Sequence, residues 1–298
     1  MTSPLSRSVE PTAAARCRRN FTWALVLMLG GLSACATAPD EPEGAPRAET
    51  VWAITDGHEL IKFNAGQPRR ILERRPLVGL QPGEQVLGAD FRVARGVLFA
   101  LTSTGRVLTL QTASGQTTPV GAIPTASLPA GRYGVDFNPA ADRLRVVHES
   151  GLNLRLHPDT GALLATDPPL AYAASDPAAG RTPRIAGAGY TYNKRDEKLT
   201  TNYAIDLATG HLVRQGSIEG AQPVVSPNTG QLFTVGPLGT GALDDVAFDI
   251  ADLNNAALIA ARQGPRTRLH LVDLSTGRAT LLGTVGDGKP LRALAIEP

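Results

Sequence analysis

The feature that most constrains the fold is a short strand-like pattern that recurs five times. It is clearest at Gly88–Phe91 and Gly134–Phe137, and looser copies end at the bulky residues Tyr190, Phe248 and Ile296. These bulky residues are separated by 46, 53, 58 and 48 positions. A period near 40–50 residues is typical of β-propeller blades, in which each sheet buries its faces against its neighbours. The pattern therefore predicts an all-β repeat protein.

Two further signals repeat in step with this strand. A second strand-like run follows each of the first four copies, at 97–101, 144–147, 201–205 and 257–260. Small polar residues followed by glycine also recur, and they end at Gly115, Gly161, Gly210 and Gly277. Such sequences favour hairpin turns in which glycine adopts a left-handed conformation. The repeat is therefore a unit of several antiparallel strands.

The two ends of the repeat region complement each other. Val51–Ile54 resembles a second strand without a first, whereas the chain ends on a copy of the first strand at Ala293–Pro298. Pairing them closes the ring and removes two open sheet edges. We predict five blades of four antiparallel strands. Six blades stay an alternative, which requires a division of the long third repeat at Val224–Val235.

The N-terminus has the features of a bacterial lipoprotein signal. Arginines at 16, 18 and 19 precede the apolar run Phe21–Leu32, which is too short for a membrane span and suits a signal peptide. Leu32–Cys35 then resembles the lipobox, whose cysteine receives the lipid. We expect residues 1–34 to be the signal peptide, Cys35 to be lipidated, residues 35–49 to be a flexible tether, and residues 50–298 to be the propeller domain.

Several details of export stay open. An ordinary secretory signal cut near Ala36 or Ala38 is the alternative to lipidation. Ala36 follows the cysteine, which by resemblance to Gram-negative sorting favours the outer membrane, with the domain facing the periplasm. Arg18–Phe21 also resembles a twin-arginine signal, so the Sec and twin-arginine routes both remain possible.

Charge and cysteine content exclude several classes of function. Without the four arginines and one glutamate of residues 1–34, the chain has 25 basic and 26 acidic side chains, so we expect no nucleic-acid partner. Cys17 and Cys35 both precede the folded part, which excludes disulfides and thiolate metal sites there. The five histidines lack metal-ligand spacing, and no nucleotide-binding or nucleophile motif is present. We therefore expect a monomer with no cofactor and no metal site.

The central part of the chain resembles an uncharacterised bacterial family, domain of unknown function 4394. The resemblance is carried by Tyr133–Leu163, by Leu170–Tyr172 and Thr182–Arg184, and by Asn228–Gly239, and it covers most of residues 50–298. It implies an exported propeller. The family has no established activity, so the resemblance implies no catalytic residues.

Asp90 and Asp136 occupy equivalent positions on successive inner strands, and two interpretations of them stay open. They can act as acid and base in a glycan-cleaving site, or their carboxylates can accept backbone N–H groups while Phe91 and Phe137 fill the core. The sequence favours the structural role, because Gly189 and Ala247 occupy the corresponding positions of the next two copies in this alignment. No catalytic residue is assigned.

Other charged residues are weaker candidates. Arg143 and Arg145 alternate along a strand, so they can bind an anionic ligand together or form a surface ladder with Asp142 or Glu149. Asp244, Asp245 and Asp249 can supply oxygen ligands for Ca²⁺, although a solvated acidic loop is the commoner explanation. The candidate ligand-binding residues are Asp90, Asp136, Arg143, Arg145 and Asp245.

These observations predict a binding or scaffolding module. The expected partners are the membrane, reached through the lipid on Cys35, and a protein, peptide or glycan ligand. The alternative is a hydrolase or lyase acting on a carbohydrate or lactone through Asp90, Asp136 or the acidic residues around Asp245.

Overall fold

The computed structural model describes residues 41, 43–121 and 128–298. The predicted signal peptide and the predicted lipidation site Cys35 lie outside these residues. Within the described part of the chain, no helix is long and apolar enough to cross a membrane.

The described residues form twenty-one strands and two short 3-10 helices. In chain order the strands are β1 (Thr50–Thr55), β2 (Glu59–Asn64), β3 (Gln67–Pro76), β4 (Val86–Arg92), β5 (Val97–Thr102), β6 (Val107–Gln111), β7 (Gln116–Pro119), β8 (Tyr133–Asn138), β9 (Arg143–His148), β10 (Asn153–Leu156), β11 (Leu163–Thr166), β12 (Ala171–Tyr172), β13 (Ile185–Tyr190), β14 (Asn202–Asp206), β15 (His211–Gln215), β16 (Gln231–Pro237), β17 (Asp245–Ile250), β18 (Ala257–Gln263), β19 (Arg266–Val272), β20 (Ala279–Thr284) and β21 (Leu291–Ile296). The 3-10 helices are Val93–Arg95 and Pro227–Thr229.

The strands form five sheets, which confirms the predicted five-bladed propeller. From the inner to the outer strand, blade 1 is β21-β1-β2-β3, blade 2 is β4-β5-β6-β7, blade 3 is β8-β9-β10-β11, blade 4 is β13-β14-β15-β16, and blade 5 is β17-β18-β19-β20. Blade 4 also has the two-residue strand β12, which pairs parallel with β16. The six-blade alternative is wrong, because β16, which begins at Gln231, is the outer strand of blade 4 rather than part of a further sheet.

The two ends of the chain close the ring as the repeat predicts. Strand β1 pairs antiparallel with β21, with Val51 opposite Ile296 and Ala53 opposite Leu294. Buried side chains of these strands, such as Val51 and Leu294, pack in one cluster with Leu258 and Leu269 of blade 5. The terminal strand thus provides the inner edge of blade 1 and part of the interface with blade 5.

Glycines on the inner strands let adjacent blades approach closely at the axis. A Cβ atom on Gly134 would lie 2.4 Å from the carbonyl carbon of Gly187, on the next inner strand. Real Cβ atoms do not approach so closely, so a side chain at residue 134 would push blades 3 and 4 apart. The glycines of the predicted hairpin turns have a different role, because Gly115, Gly161, Gly210 and Gly277 all have positive φ, as expected.

The predicted tether is too long at its C-terminal end. Both Oγ1 and the backbone N–H of Thr284 donate to Glu41, and the side chain of Asn64 bonds the backbone of Arg47. Glu49 is buried and accepts from Asn254 in blade 5. The compact unit therefore begins at Glu41 rather than at residue 50.

Candidate functional site

The repeated strand pattern places aspartates at the same end of the central channel. Asp90 and Asp136 lie near the C-terminal ends of the inner strands β4 and β8, each followed by a phenylalanine. Side chains alternate along a strand, so Phe91 and Phe137 pack into the cores between blades. The carboxylates are left beside the channel axis.

Each aspartate links its blade to the next one around the ring. Oδ2 of Asp90 accepts the N–H of Phe137 at 2.8 Å, and Oδ2 of Asp136 accepts the N–H of Tyr190 at 2.8 Å. Asp90 also accepts the N–H of Phe91 in its own repeat. The predicted structural role is therefore present, and it extends across the interface between blades.

A third aspartate, Asp249, repeats this arrangement in blade 5. Its Oδ1 accepts the N–H of Ile250 and its Oδ2 accepts the N–H of Ile296 in blade 1, both at 2.6 Å. Ile250, rather than Phe248, is thus the structural equivalent of Phe91. Our sequence alignment of this copy was wrong by two positions, and it assigned Ala247 to the place that Asp249 holds.

Blades 4 and 1 lack the aspartate at this position. Blade 4 has Gly189, where a Cβ atom would lie 2.9 Å from Cγ1 of Ile250, so a larger side chain there would displace blade 5. Blade 1 has the buried Ala295, which pairs with Trp52. The ring of aspartates therefore has three members, from blades 2, 3 and 5.

The three carboxylates are close together and buried. Asp90, Asp136 and Asp249 are 7%, 3% and 4% exposed, and one oxygen from each lies within 4.8 Å of the other two. Burial, followed by the charges of the neighbouring aspartates, raises the pKa of Asp90 and Asp136 well above the usual value for an aspartate. Burial also raises the pKa of Asp249, to about 6, although its two backbone hydrogen bonds act against this.

One carboxyl oxygen of Asp136 lies within 4.8 Å of one carboxyl oxygen of Asp249. Two ionised carboxylates have acceptors alone, so neither can donate a hydrogen bond to the other and their charges repel. The only N–H that a described residue donates to Asp136 reaches Oδ2, from Tyr190. No described residue donates an N–H to its Oδ1, and this oxygen is not one of the fully enclosed polar atoms without a partner, so it keeps some exposed surface beside the channel axis.

The three carboxylates line a cavity of about 230 Å³ at the C-terminal ends of the inner strands. We call it the carboxylate pocket, defined by Asp90, Asp136, Asp249 and Asp252, with Tyr192 and Glu197 on its lining as well. Glu197 is exposed, so the pocket reaches solvent on that side. Burial, followed by the charge of Asp249, raises the pKa of Asp252 to about 7.

Arg92 is the one cation among the described residues that line the pocket, and it is already paired. Its Nε donates to Asp142 at 2.8 Å and its Nη1 donates to Asp159 at 2.6 Å. These bonds fix blade 2 to blade 3. The guanidinium therefore neutralises two other carboxylates and leaves the four aspartates of the pocket without a cationic partner.

The structure does not bring Arg143 and Arg145 together as an anion site. Arg145 is 2% exposed, and its guanidinium donates to Asp167, Asn228, Asn153 and Tyr190 between blades 3 and 4. Arg143 donates to the backbone carbonyl of Asp142. The prediction of a shared anion-binding face is therefore wrong, because the donors of Arg145 are used inside the fold.

Asp244 and Asp245 lie at the opposite end of the channel from the carboxylate pocket, where the inner strands begin. Asp245 is ion-paired with Arg132 of blade 3 at 3.3 Å, and Asp244 accepts the N–H of Gly264. The expected Ca²⁺ site of Asp244, Asp245 and Asp249 is therefore not assembled. In the described part of the chain, the one group of three potential metal ligands is Asp90, Asp136 and Asp249.

Sequence reasoning missed Asp252, Tyr192 and Glu197 and did not group Asp249 with Asp90 and Asp136. The signal for Asp249 was present, because an aspartate before a bulky residue occurs at Asp90, Asp136 and Asp249 alike. The other three lie in loops after inner strands, where periodicity gives no information on side-chain direction.

Comparison with known proteins identifies a family but no activity. A family model described as a domain of unknown function, DUF4394, matches residues 59–295. No curated protein matches the chain.

Three solved structures share distant similarity with the chain. A chain of a nidogen/laminin complex has a TM-score of 0.47 and 12% identity, over 84% of this chain and 98% of that one. A protein of unknown function from Bacteroides thetaiotaomicron has a TM-score of 0.44 and 15% identity, over 81% and 60%. Dihydro-heme d1 dehydrogenase NirN has a TM-score of 0.34 and 13% identity, over 83% and 46%. At these scores the similarity is limited to the overall backbone arrangement and gives no information on a ligand.

Proposed function

The chain belongs to the family described as domain of unknown function 4394, and from that premise we propose that it is a ligand-binding protein of the cell envelope. In this proposal the signal peptide directs export, the lipid on Cys35 anchors the chain to a membrane, and the propeller binds a protein, peptide or glycan in the carboxylate pocket.

One observation carries the proposal for the pocket. Three buried carboxylates meet in an open cavity, and the one cation among its described lining residues, Arg92, is paired with Asp142 and Asp159 instead. Buried charges are ordinarily paired, because an unpaired one destabilises the fold. Proteins retain such destabilising groups where the groups have a function. A ligand that neutralises the carboxylates would remove the destabilisation.

Capture from an envelope extract tests the binding function. Wild-type protein and the variants Asp136→Asn and Asp245→Asn are immobilised, and bound material is compared, with a glycan array run beside it. Asp245 is the matched control, since it lies at the other end of the channel. We expect material bound by wild type and Asp245→Asn to be lost from Asp136→Asn. Equal capture by all three would contradict a role for the pocket.

The anchoring part of the proposal has its own test. Cys35→Ser should abolish incorporation of labelled palmitate, because a serine hydroxyl cannot replace the thiol that is alkylated. Equal labelling of wild type and variant would contradict lipidation at Cys35.

A hydrolase or lyase is the second candidate function, favoured by the Asp136–Asp249 pair. Retaining glycosidases use two carboxyl groups roughly 5–5.5 Å apart as acid and nucleophile, and one oxygen of Asp136 lies within 4.8 Å of one oxygen of Asp249. The backbone hydrogen bonds of both aspartates support the structural role instead. Turnover of chromogenic glycosides or of lactones, lost in Asp136→Asn and retained in Asp245→Asn, would establish this activity.

A further inference from the structure

The carboxylate pocket presents acceptors in an arrangement that selects among positively charged ligands. We infer that its ligand binds through a primary ammonium group on an aliphatic chain, with the three N–H donors directed at Asp90, Asp136 and Asp249. This inference rests on the proposed binding function.

The first step is geometric. A primary ammonium has three donors and no acceptor, and charge-assisted N–H···O bonds are about 2.8 Å long. Donors in tetrahedral directions then place three acceptor oxygens roughly 4.6 Å apart. One oxygen from each of the three aspartates lies within 4.8 Å of the other two, so a single nitrogen can reach all three.

The second step is the state of Asp136. This side chain is 3% exposed and lines the pocket, and among the described residues its one N–H donor, Tyr190, reaches Oδ2. Oδ1 is therefore an acceptor without a donor from the described residues. A ligand that brings N–H groups satisfies it and offsets the repulsion between the neighbouring carboxylates.

The third step separates an organic ammonium from a metal ion. Each oxygen of Asp90 and of Asp249 accepts one backbone N–H group, which leaves one lone pair on each for a further donor. Three such oxygens match the three N–H groups of an ammonium, whereas Ca²⁺ requires about six to eight oxygen ligands. The cavity of about 230 Å³ is also larger than a bare ion needs, and Phe137 and Ile250 contribute apolar groups to its lining. An aliphatic chain behind the ammonium would occupy that space.

Calorimetry with defined probes tests the inference on the purified full chain. The amine probes are n-pentylammonium chloride and Nα-acetyl-lysine amide. Four controls accompany them: n-pentanol lacks the charge, tetramethylammonium lacks N–H donors, and CaCl₂ and MgCl₂ test for a metal site. We expect the amines to bind and the controls to bind at least tenfold more weakly. A lysine derivative that binds better than pentylammonium indicates a protein source, and the reverse indicates a free amine.

The variants place the binding in the pocket. Asp136→Asn and Asp252→Asn should weaken amine binding about tenfold or more, because each removes a carboxylate from the pocket. Among the described residues, the side chain of Asp252 accepts no N–H but its own backbone one, so Asp252→Asn should fold even where Asp136→Asn does not. Asp245→Asn should bind as wild type does.

Four outcomes would overturn the inference. These are binding of Ca²⁺ or Mg²⁺ without binding of amines, equal affinity for tetramethylammonium, amine binding unchanged in Asp252→Asn, and no binding of any probe. These results would not by themselves contradict the proposed function. If wild type captures an envelope ligand that Asp136→Asn does not, and amines do not displace this ligand, the pocket is a binding site for another class of ligand.

Discussion

The carboxylates at the two ends of the channel differ in whether a cation pairs with them. Where the inner strands begin, Asp245 is ion-paired with Arg132, which also donates to the backbone carbonyl of Asp244. Where they end, Asp90, Asp136 and Asp249 face one another and the nearby Arg92 is held by Asp142 and Asp159. The propeller thus pairs a carboxylate with an arginine of another blade at one end of the channel, and leaves the carboxylates at the other end without such a partner among the described residues. Blades 4 and 1 join their neighbours with Gly189 and Ala295 at the aspartate position, so the ring does not need a carboxylate there in every blade, which supports a functional reason for the three that are present.

The largest expected effect comes from removing the strand that closes the ring. Deleting Ala293–Pro298 removes most of β21, including the N–H of Ile296 that Asp249 accepts and the partner of β1. We expect loss of most of the roughly 5–15 kcal/mol that stabilises a domain, with aggregation through the exposed edge of β1. Thermal unfolding and light scattering measure both effects.

The control for this deletion is removal of the residues before Glu41, where the compact unit begins. That truncation should leave the melting temperature nearly unchanged. A C-terminal deletion that is equally harmless would show that the termini do not close the ring.

The next effect is the pH dependence of stability that the pocket produces. The folded-state pKa values of Asp90, Asp136, Asp249 and Asp252 are raised above the unfolded value near 3.8. Such groups stabilise the fold at low pH, and that contribution is lost as pH rises through the folded pKa, about 6 for Asp249 and about 7 for Asp252. For Asp249 alone the change is on the order of 2–3 kcal/mol.

Asp136→Asn isolates this contribution. Buried His148 and His270 have lowered pKa values and act in the opposite direction below about pH 6.5, but they cancel when the two proteins are compared. We expect the variant to gain stability relative to wild type between pH 5.5 and 8 in denaturant titrations. A constant difference across this range would mean that the carboxylates do not repel one another.

Features of the fold and the pocket that follow from the repeated strand pattern could be predicted from the sequence, whereas contacts between residues far apart in the chain could not. Ring closure and the positions of Asp90 and Asp136 follow from the strand pattern, because alternation and period are local properties. Asp249 was misaligned because both Phe248 and Ile250 are bulky and lie on the same face of β17. The burial of Arg145 was missed because Asp167 and Asn228 are 22 and 83 residues away in sequence.

At the paired end of the channel, removal of the cation should have a smaller effect. Arg132→Gln leaves Asp245 partly buried without its partner, so we expect a loss of about 1 kcal/mol at pH 8. Arg143→Gln is the matched control, since among the described residues the side chain of Arg143 bonds only the carbonyl of Asp142, and it should change stability by less than about 0.5 kcal/mol. If both substitutions are equally neutral, Asp245 needs no cation and the two ends of the channel do not differ in this respect.

The smallest expected effect is the response of the two ends to salt. Arg132 and Asp245 have side chains that are 29% and 20% exposed, whereas Asp136 is 3% exposed. At 1 M NaCl the screening length falls to about 3 Å, which weakens interactions that solvent ions can reach. The destabilisation caused by Arg132→Gln should therefore shrink by a few tenths of a kcal/mol between low and high salt, while the gain from Asp136→Asn at pH 8 stays constant. Denaturant titrations at both salt concentrations measure the two differences. A gain from Asp136→Asn that also shrinks would show that sodium ions enter the carboxylate pocket and take the place of the missing cation.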